Sequence, residues 1–112
     1  MQNHIKVYYA AFGYDLNQVD KIYVPSEISG APYNDIHHII GRGKMGEDRI
    51  ENLMALTRKE HIDYGDEVYL MEMLLKIHQK NLEINKIPHN PKFFDFYINK
   101  YQNLTLLKDG KI

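Results

Sequence analysis

Hydrophobic and polar positions divide the chain into two unlike halves. Up to about residue 56 the apolar residues fall in short runs, "IKVYYAAF", "DIHHII" and "NLMAL", separated by turn-rich or charged pieces. Beyond it they recur every three or four residues, the spacing of a buried helical face. The run at 5–12 is compatible with a strand or a short helix, because Tyr and Val favour strands while its two alanines do not. In "VPSEISGAPYN", Pro25, Gly30 and Pro32 punctuate the chain and deliver it into "DIHHII", which reads as a strand. The glycine-rich, charged stretch "GRGKMGEDRIEN" reads as a loop of about a dozen residues, a length at which loops in compact domains tend to be functional. "NLMALT" reads as a second short strand.

The second half is helical. Thr57 followed three residues later by Glu60 is a capping box, which opens a helix and puts His61 in its first turn. Gly65 and Asp66 are expected to end that helix, with Asp66 capping a longer one whose apolar stripe is Leu70, Met71, Leu74, Leu75, His78 and Leu82. A last helix is predicted from Asn90 as cap and Pro91 at its first position. The end, "KDGKI", is expected to fray. The fold class that follows is α+β, in one domain spanning 1–112, since 112 residues are too few for two comfortable cores.

Composition narrows the chemistry. Hydrophobic residues at 44% and charged residues at 26% are ordinary globular values. The absence of cysteine excludes disulfides and thiolate metal sites, so any metal must be held by N and O ligands. No apolar run approaches a membrane span and the start lacks a signal-peptide pattern, so a cytoplasmic location and no membrane partner are expected. The net charge of −1 argues against coating nucleic acid by charge alone. Yet the charges are uneven. Arg42, Lys44, Arg49, Arg58 and Lys59 make 42–59 mildly basic, 60–75 carries only acids, and the tail from Lys76 carries seven lysines against three acids.

Two adjacent histidines in a strand point to opposite faces, so one buried face cannot explain both. Residues 35–65 read as strand, long loop, strand, helix, with His37 and His38 on the first strand, Asn52 closing the loop and His61 on the helix. A hairpin packed on a helix can bring His37 and His61 together as the start of a divalent-metal site. A metal ligand must offer a neutral lone pair, whereas a general base must be free to take a proton. Two adjacent histidines can divide those duties.

"DIHHIIGRGKMGEDRIENLMALTRKEH" resembles the HNH endonucleases and their ββα-metal (His-Me finger) motif over about a quarter of the chain. The resemblance implies a ββα-metal core at about 33–65 with additional C-terminal helices at about 66–106. It implies that His37 and His61 are metal ligands, His38 the general base, and Asn52 the residue that fastens the loop and orients the base. The implied activity is metal-dependent hydrolysis of DNA phosphodiesters, leaving 5′ phosphate and 3′ hydroxyl ends. Arg42, Lys44, Arg58 and Lys59 are candidates for gripping the DNA backbone. Two departures narrow the family. The four cysteine positions of a structural zinc, found in many members, match the segments Ser26–Gly30 and Thr57–His61, so no structural zinc is expected. The position four beyond the last His, a further ligand in some members, is Gly65. One divalent ion on two imidazoles is then implied: Mg²⁺ or Mn²⁺ suit so open a shell, with Zn²⁺ or Ni²⁺ as alternatives.

The remaining candidates read as structural. His78 is expected to be packed or half-exposed, His4 and His89 solvated, Asp35 structural, and Asp63 and Asp66 engaged in capping or solvent. The nine tyrosines read as core and rim more than as platforms for bases. Compact stand-alone forms of the family are common in phages and mobile elements, and a second copy of the chain or a phage protein stands open as a further partner. The alternative function is a non-cleaving DNA-binding or assembly module that keeps the ββα shape.

Overall fold

The computed structural model of the chain describes residues 1–41 and 46–108. Arg42 and Lys44 lie outside the described residues. The architecture is α+β: among the described residues, four helices surround a two-stranded antiparallel sheet. The run at 5–12 is helical, within α1 (Asn3–Phe12). It ends at Gly13 in the left-handed conformation, φ 76°, where the Gly13 and Tyr14 amides bond back to Ala10 and Tyr9. The strand-forming tyrosines of that run, Tyr8 and Tyr9, are buried. Tertiary packing against the sheet thus decides between two elements that local preference left balanced.

Strand β1 (Asp35–His38) pairs with β2 (Leu53–Leu56) in the register Asp35 to Leu56, Ile36 to Ala55, His37 to Met54 and His38 to Leu53. A lone hairpin is marginal in water. Here all four β2 residues are buried, because helices cover both faces. One face, carrying Ile36, Leu53 and Ala55, packs on Tyr8 and Tyr9 of α1. Met54 and Leu56 on the other face join Ile39, Ile40 and the helices α3 (Val68–Ile84) and α4 (Pro91–Lys108).

Helix α2 (Arg58–Tyr64) opens with the expected capping box: the Glu60 amide donates to Thr57 Oγ1 at 3.1 Å and the Thr57 amide to Glu60 Oε1 at 2.8 Å. In α3 the buried face is Met71, Leu74, Leu75, His78 and Leu82, with Leu70 half-buried at its edge. The expected cap at Asp66 is corrected: α3 starts one residue later, at Val68, behind Glu67, which makes no side-chain cap. Asn90 Oδ1 accepts from the Lys92 amide at 3.0 Å and opens α4 with Pro91 at its first position. Leu74, Leu75 and Leu82 of α3 meet Phe94 and Tyr101 of α4 in one core. No helix among the described residues is long and apolar enough to cross a membrane.

Candidate metal and catalytic site

Strand alternation parts the two histidines. His37 faces α2, 4% exposed, with its ring centroid 4.6 Å from that of His61 and tilted by 52°. Asp35, two residues earlier and therefore on the same face, stands within hydrogen-bond distance of His61 Nδ1, 3.1 Å from its Oδ2. Arg58 grips the same carboxylate through Nε at 2.8 Å and a terminal nitrogen at 3.0 Å. The bond from Arg58, reinforced by His61, holds the Asp35 carboxyl below the usual carboxylate range in spite of its partial burial. An ionised carboxylate only accepts, so His61 Nδ1 carries the proton, and in the neutral ring Nε2 keeps its lone pair.

His37 Nε2 is buried and has no hydrogen-bond partner. Burial first, then the neighbouring His61, pushes the ring down to about 4, although Asp66 and the Gly65 backbone pull the other way. The imidazole is therefore neutral at physiological pH. A buried nitrogen without a partner ordinarily costs about 1–3 kcal/mol. A divalent ion between His37 and His61 would use that lone pair, so the donor set fits the expected metal. Gly65 makes the approach feasible: a Cβ there would collide with the His61 carbonyl oxygen and come within 2.7 Å of His61 Cδ2 and 3.1 Å of His37 Cε1.

His38 turns to the other face, toward α1. Its Nε2 lies 2.7 Å from Asp48 Oδ1, and Asn3 Nδ2 donates to Asp48 Oδ2 at 3.0 Å. The His4 ring sits 4.9 Å from the His38 ring. One ligand atom from each of His4, His38 and Asp48 lies within 4.8 Å of the others, so this group can hold a metal ion. The expectation that His4 is solvated is corrected, since it is half-buried against His38. Neither His4 nor Asp48 stands out in the sequence, because nothing in their spacing signals that α1 packs on that face of the hairpin.

Asn52 is fully buried and closes the loop between the strands. Its Oδ1 accepts from the Ile40 amide at 2.7 Å, while Nδ2 donates to the carbonyls of Ile40 and Glu47, both at 3.0 Å. The two ends of the loop are thereby tied, one residue from Asp48 and two from His38. Glu51 anchors the same segment to α4: it accepts from Arg49 Nε at 3.0 Å and from the Asn90 amide at 2.7 Å.

The segments Ser26–Gly30 and Thr57–His61 do meet. Ser26 Oγ donates to Glu60 Oε1 at 2.5 Å and accepts from the amides of Ile28 and Ser29 at 3.1 and 3.3 Å. Burial opposes the charge on Glu60, but hydrogen bonds from Ser26, Ser29 and Thr57 outweigh it and hold the carboxyl below its ordinary range. Gly30, at φ 78°, supplies the left-handed turn that closes this loop. Hydrogen bonds thus join the two segments without thiolates.

The remaining candidates are engaged within the molecule or near it. Arg58 pairs with Asp35, and Lys59 with Asp63 at 2.5 Å across one helical turn. His89 is half-buried rather than solvated, with Nδ1 2.8 Å from the Ile87 carbonyl. His78 is more than a packed histidine. It is fully buried, with Nδ1 2.7 Å from Glu27 Oε1 and Nε2 2.6 Å from the Ile50 carbonyl. Comparison of the chain with family models, with curated protein sequences and with solved structures finds no match.

Proposed function

We propose that the chain is a small metal-dependent DNA endonuclease of the HNH type, built on a ββα-metal core formed by β1, β2 and α2. The observation that carries this reading is the buried, unpartnered and neutral Nε2 of His37 beside His61. An imidazole in that state is prepared for a cation. His37 and His61 would hold one divalent ion, Mg²⁺ or Mn²⁺ if water and substrate phosphate complete the shell, or Zn²⁺ or Ni²⁺ by imidazole preference. When bound there, such an ion supplies positive charge to a phosphoryl oxygen and to the departing 3′ oxygen.

The chain's own residues divide the rest. His38 Nε2 stands 2.7 Å from Asp48 Oδ1, so an ionised Asp48 would hold the proton on Nε2, and the role of base toward water would then fall to Nδ1. Asn52 positions that base through the loop it ties. Asp35 orients His61, as carboxylates commonly do for metal-bound imidazoles. Because Asp35 occupies Arg58 and Asp63 occupies Lys59, these two cations act first on the protein, and Arg42 and Lys44 are the better candidates for the DNA backbone.

The test is incubation with supercoiled plasmid and a panel of Mg²⁺, Mn²⁺, Ni²⁺ and Zn²⁺. Nicked or linear DNA is expected with the wild type. His38→Ala should abolish cleavage while the ion at His37 and His61 still binds, whereas His37→Ala should lose that ion. DNA binding without cleavage under every metal would replace this reading with that of a non-cleaving DNA-binding module.

A further inference from the structure

We infer that His4, His38 and Asp48 form a second cation site, selective for a borderline divalent ion of the Co²⁺, Ni²⁺ or Zn²⁺ type, on the face of β1 opposite His37 and His61. Three separate elements supply the ligands: α1 gives His4, β1 gives His38 and the end of the loop gives Asp48. The ligand atoms already lie within 4.8 Å of one another. A tetrahedral ion with bonds of about 2.0–2.1 Å sets its ligands roughly 3.4 Å apart. Small side-chain rotations therefore suffice, among them one that opens the 2.7 Å separation of His38 Nε2 and Asp48 Oδ1.

The carboxylate is held in place beforehand, since Asn3 donates to its second oxygen. Two imidazoles and one carboxylate match the three-ligand sets that bind zinc with an open fourth position, and they disfavour Mg²⁺ and Ca²⁺, which prefer oxygen.

Coordination through His38 Nε2 moves the proton now shared with Asp48 to Nδ1, with no net change in protonation of the neutral ring. Nδ1 is the atom assigned above as the base, so an ion in this site silences it. That consequence rests on the nuclease reading, whereas the site does not.

The experiment is titration of the full chain with Co²⁺, followed by visible d–d absorption and by calorimetric stoichiometry, in the wild type and in His4→Gln, Asp48→Asn and His61→Gln. Thermal unfolding of each variant checks that it folds. His4→Gln and Asp48→Asn should each weaken one bound equivalent by at least about tenfold, the least that loss of a metal-site partner costs. His61→Gln should leave that equivalent intact. The inference is overturned if the wild type binds no Co²⁺, or if binding is unchanged in both His4→Gln and Asp48→Asn. Loss of an equivalent in His61→Gln alone would support the His37 and His61 site and overturn this one.

Discussion

His78 and Glu27 form an ion pair inside the molecule, with Nδ1 2.7 Å from Oε1 and side chains 0% and 4% exposed. Both ring nitrogens of His78 face acceptors, the second being the Ile50 carbonyl at 2.6 Å, so both carry protons. Glu27 collects the rest of the polar groups nearby: Tyr8 Oη donates to Oε2 at 2.9 Å, and Asn81 Nδ2 to Oε1 at 3.1 Å. One imidazolium thereby joins α3 to the turn that leads into Asn52, and one carboxylate joins α3 to α1.

This pair makes stability depend on pH on the alkaline side. Burial opposes the His78 charge, but Glu27 and the Ile50 carbonyl together outweigh it and raise the pKa above its ordinary value of 6.5. A raised folded-state pKa means that the contribution is complete below 6.5 and is lost as pH rises through the folded value. Urea unfolding should therefore show stability falling as pH rises above 6.5 through the folded value. His78→Leu should remove that slope and cost about 3–5 kcal/mol at neutral pH, since it leaves Glu27 buried without its partner. An unchanged slope in His78→Leu would place the titration elsewhere.

Asn52 predicts a separation between stability and metal binding. Asn52→Ala strands the Ile40 amide and removes the donor to two carbonyls, at a cost of about 2–4 kcal/mol by urea unfolding. The loop it releases carries Asp48, whereas His37 and His61 are held by strand and helix. On the nuclease reading, cleavage should fall steeply while Mn²⁺ affinity at His37 and His61 changes little. Equal loss of both would mean that Asn52 supports the whole hairpin rather than the base.

What could be read in the chain follows the range of each interaction. The capping box of Thr57 and Glu60, the stripe of α3 and the Asn90 and Pro91 start of α4 were legible because their partners lie within a turn or two. The grouping of His37 with His61 was legible through a motif that spans one hairpin and one helix. The partners of His78 and His38 were not. Glu27 is 51 residues from His78, and the meeting of His4 with His38 depends on how α1 lies across the sheet. Local preference could not even decide that α1 is a helix, because Tyr8 and Tyr9 take their conformation from the core they fill.

Ser26 and Glu60 should behave as one unit. Glu60 Oε1 accepts from both the Thr57 amide and Ser26 Oγ, so Glu60→Ala loses the helix cap and the link between segments together. About 1–3 kcal/mol is expected for Glu60→Ala, and about 1–2 kcal/mol for Ser26→Ala. The double variant should cost less than the sum, because each single change already removes the shared bond. Strict additivity in urea unfolding would show that the two segments are held independently. The lowered Glu60 pKa adds a direction: this stability is present above 4.5 and is lost as pH falls through the folded value.

Gly65 tests the metal reading without touching a ligand. Its backbone is in the ordinary helical region at φ −62°, so an alanine there suffers no conformational strain and gains helix propensity. The obstacle is space: the added methyl would strike the His61 carbonyl, stand 2.7 Å from Cδ2 of that ring and press on His37 Cε1 at 3.1 Å. The end of α2 must then shift, and the ring of His61 must turn away from His37 with it. With the end of α2 displaced, Gly65→Ala should weaken the ion proposed at His37 and His61 by about tenfold or more. His61 Nδ1 would leave Asp35 in the same motion, so the loss should exceed that of Asp35→Asn, which removes only the orienting charge. Metal affinity by calorimetry, with thermal unfolding as the control, decides the matter. Unchanged affinity in a folded Gly65→Ala would mean that the ion does not require the two rings at their present separation.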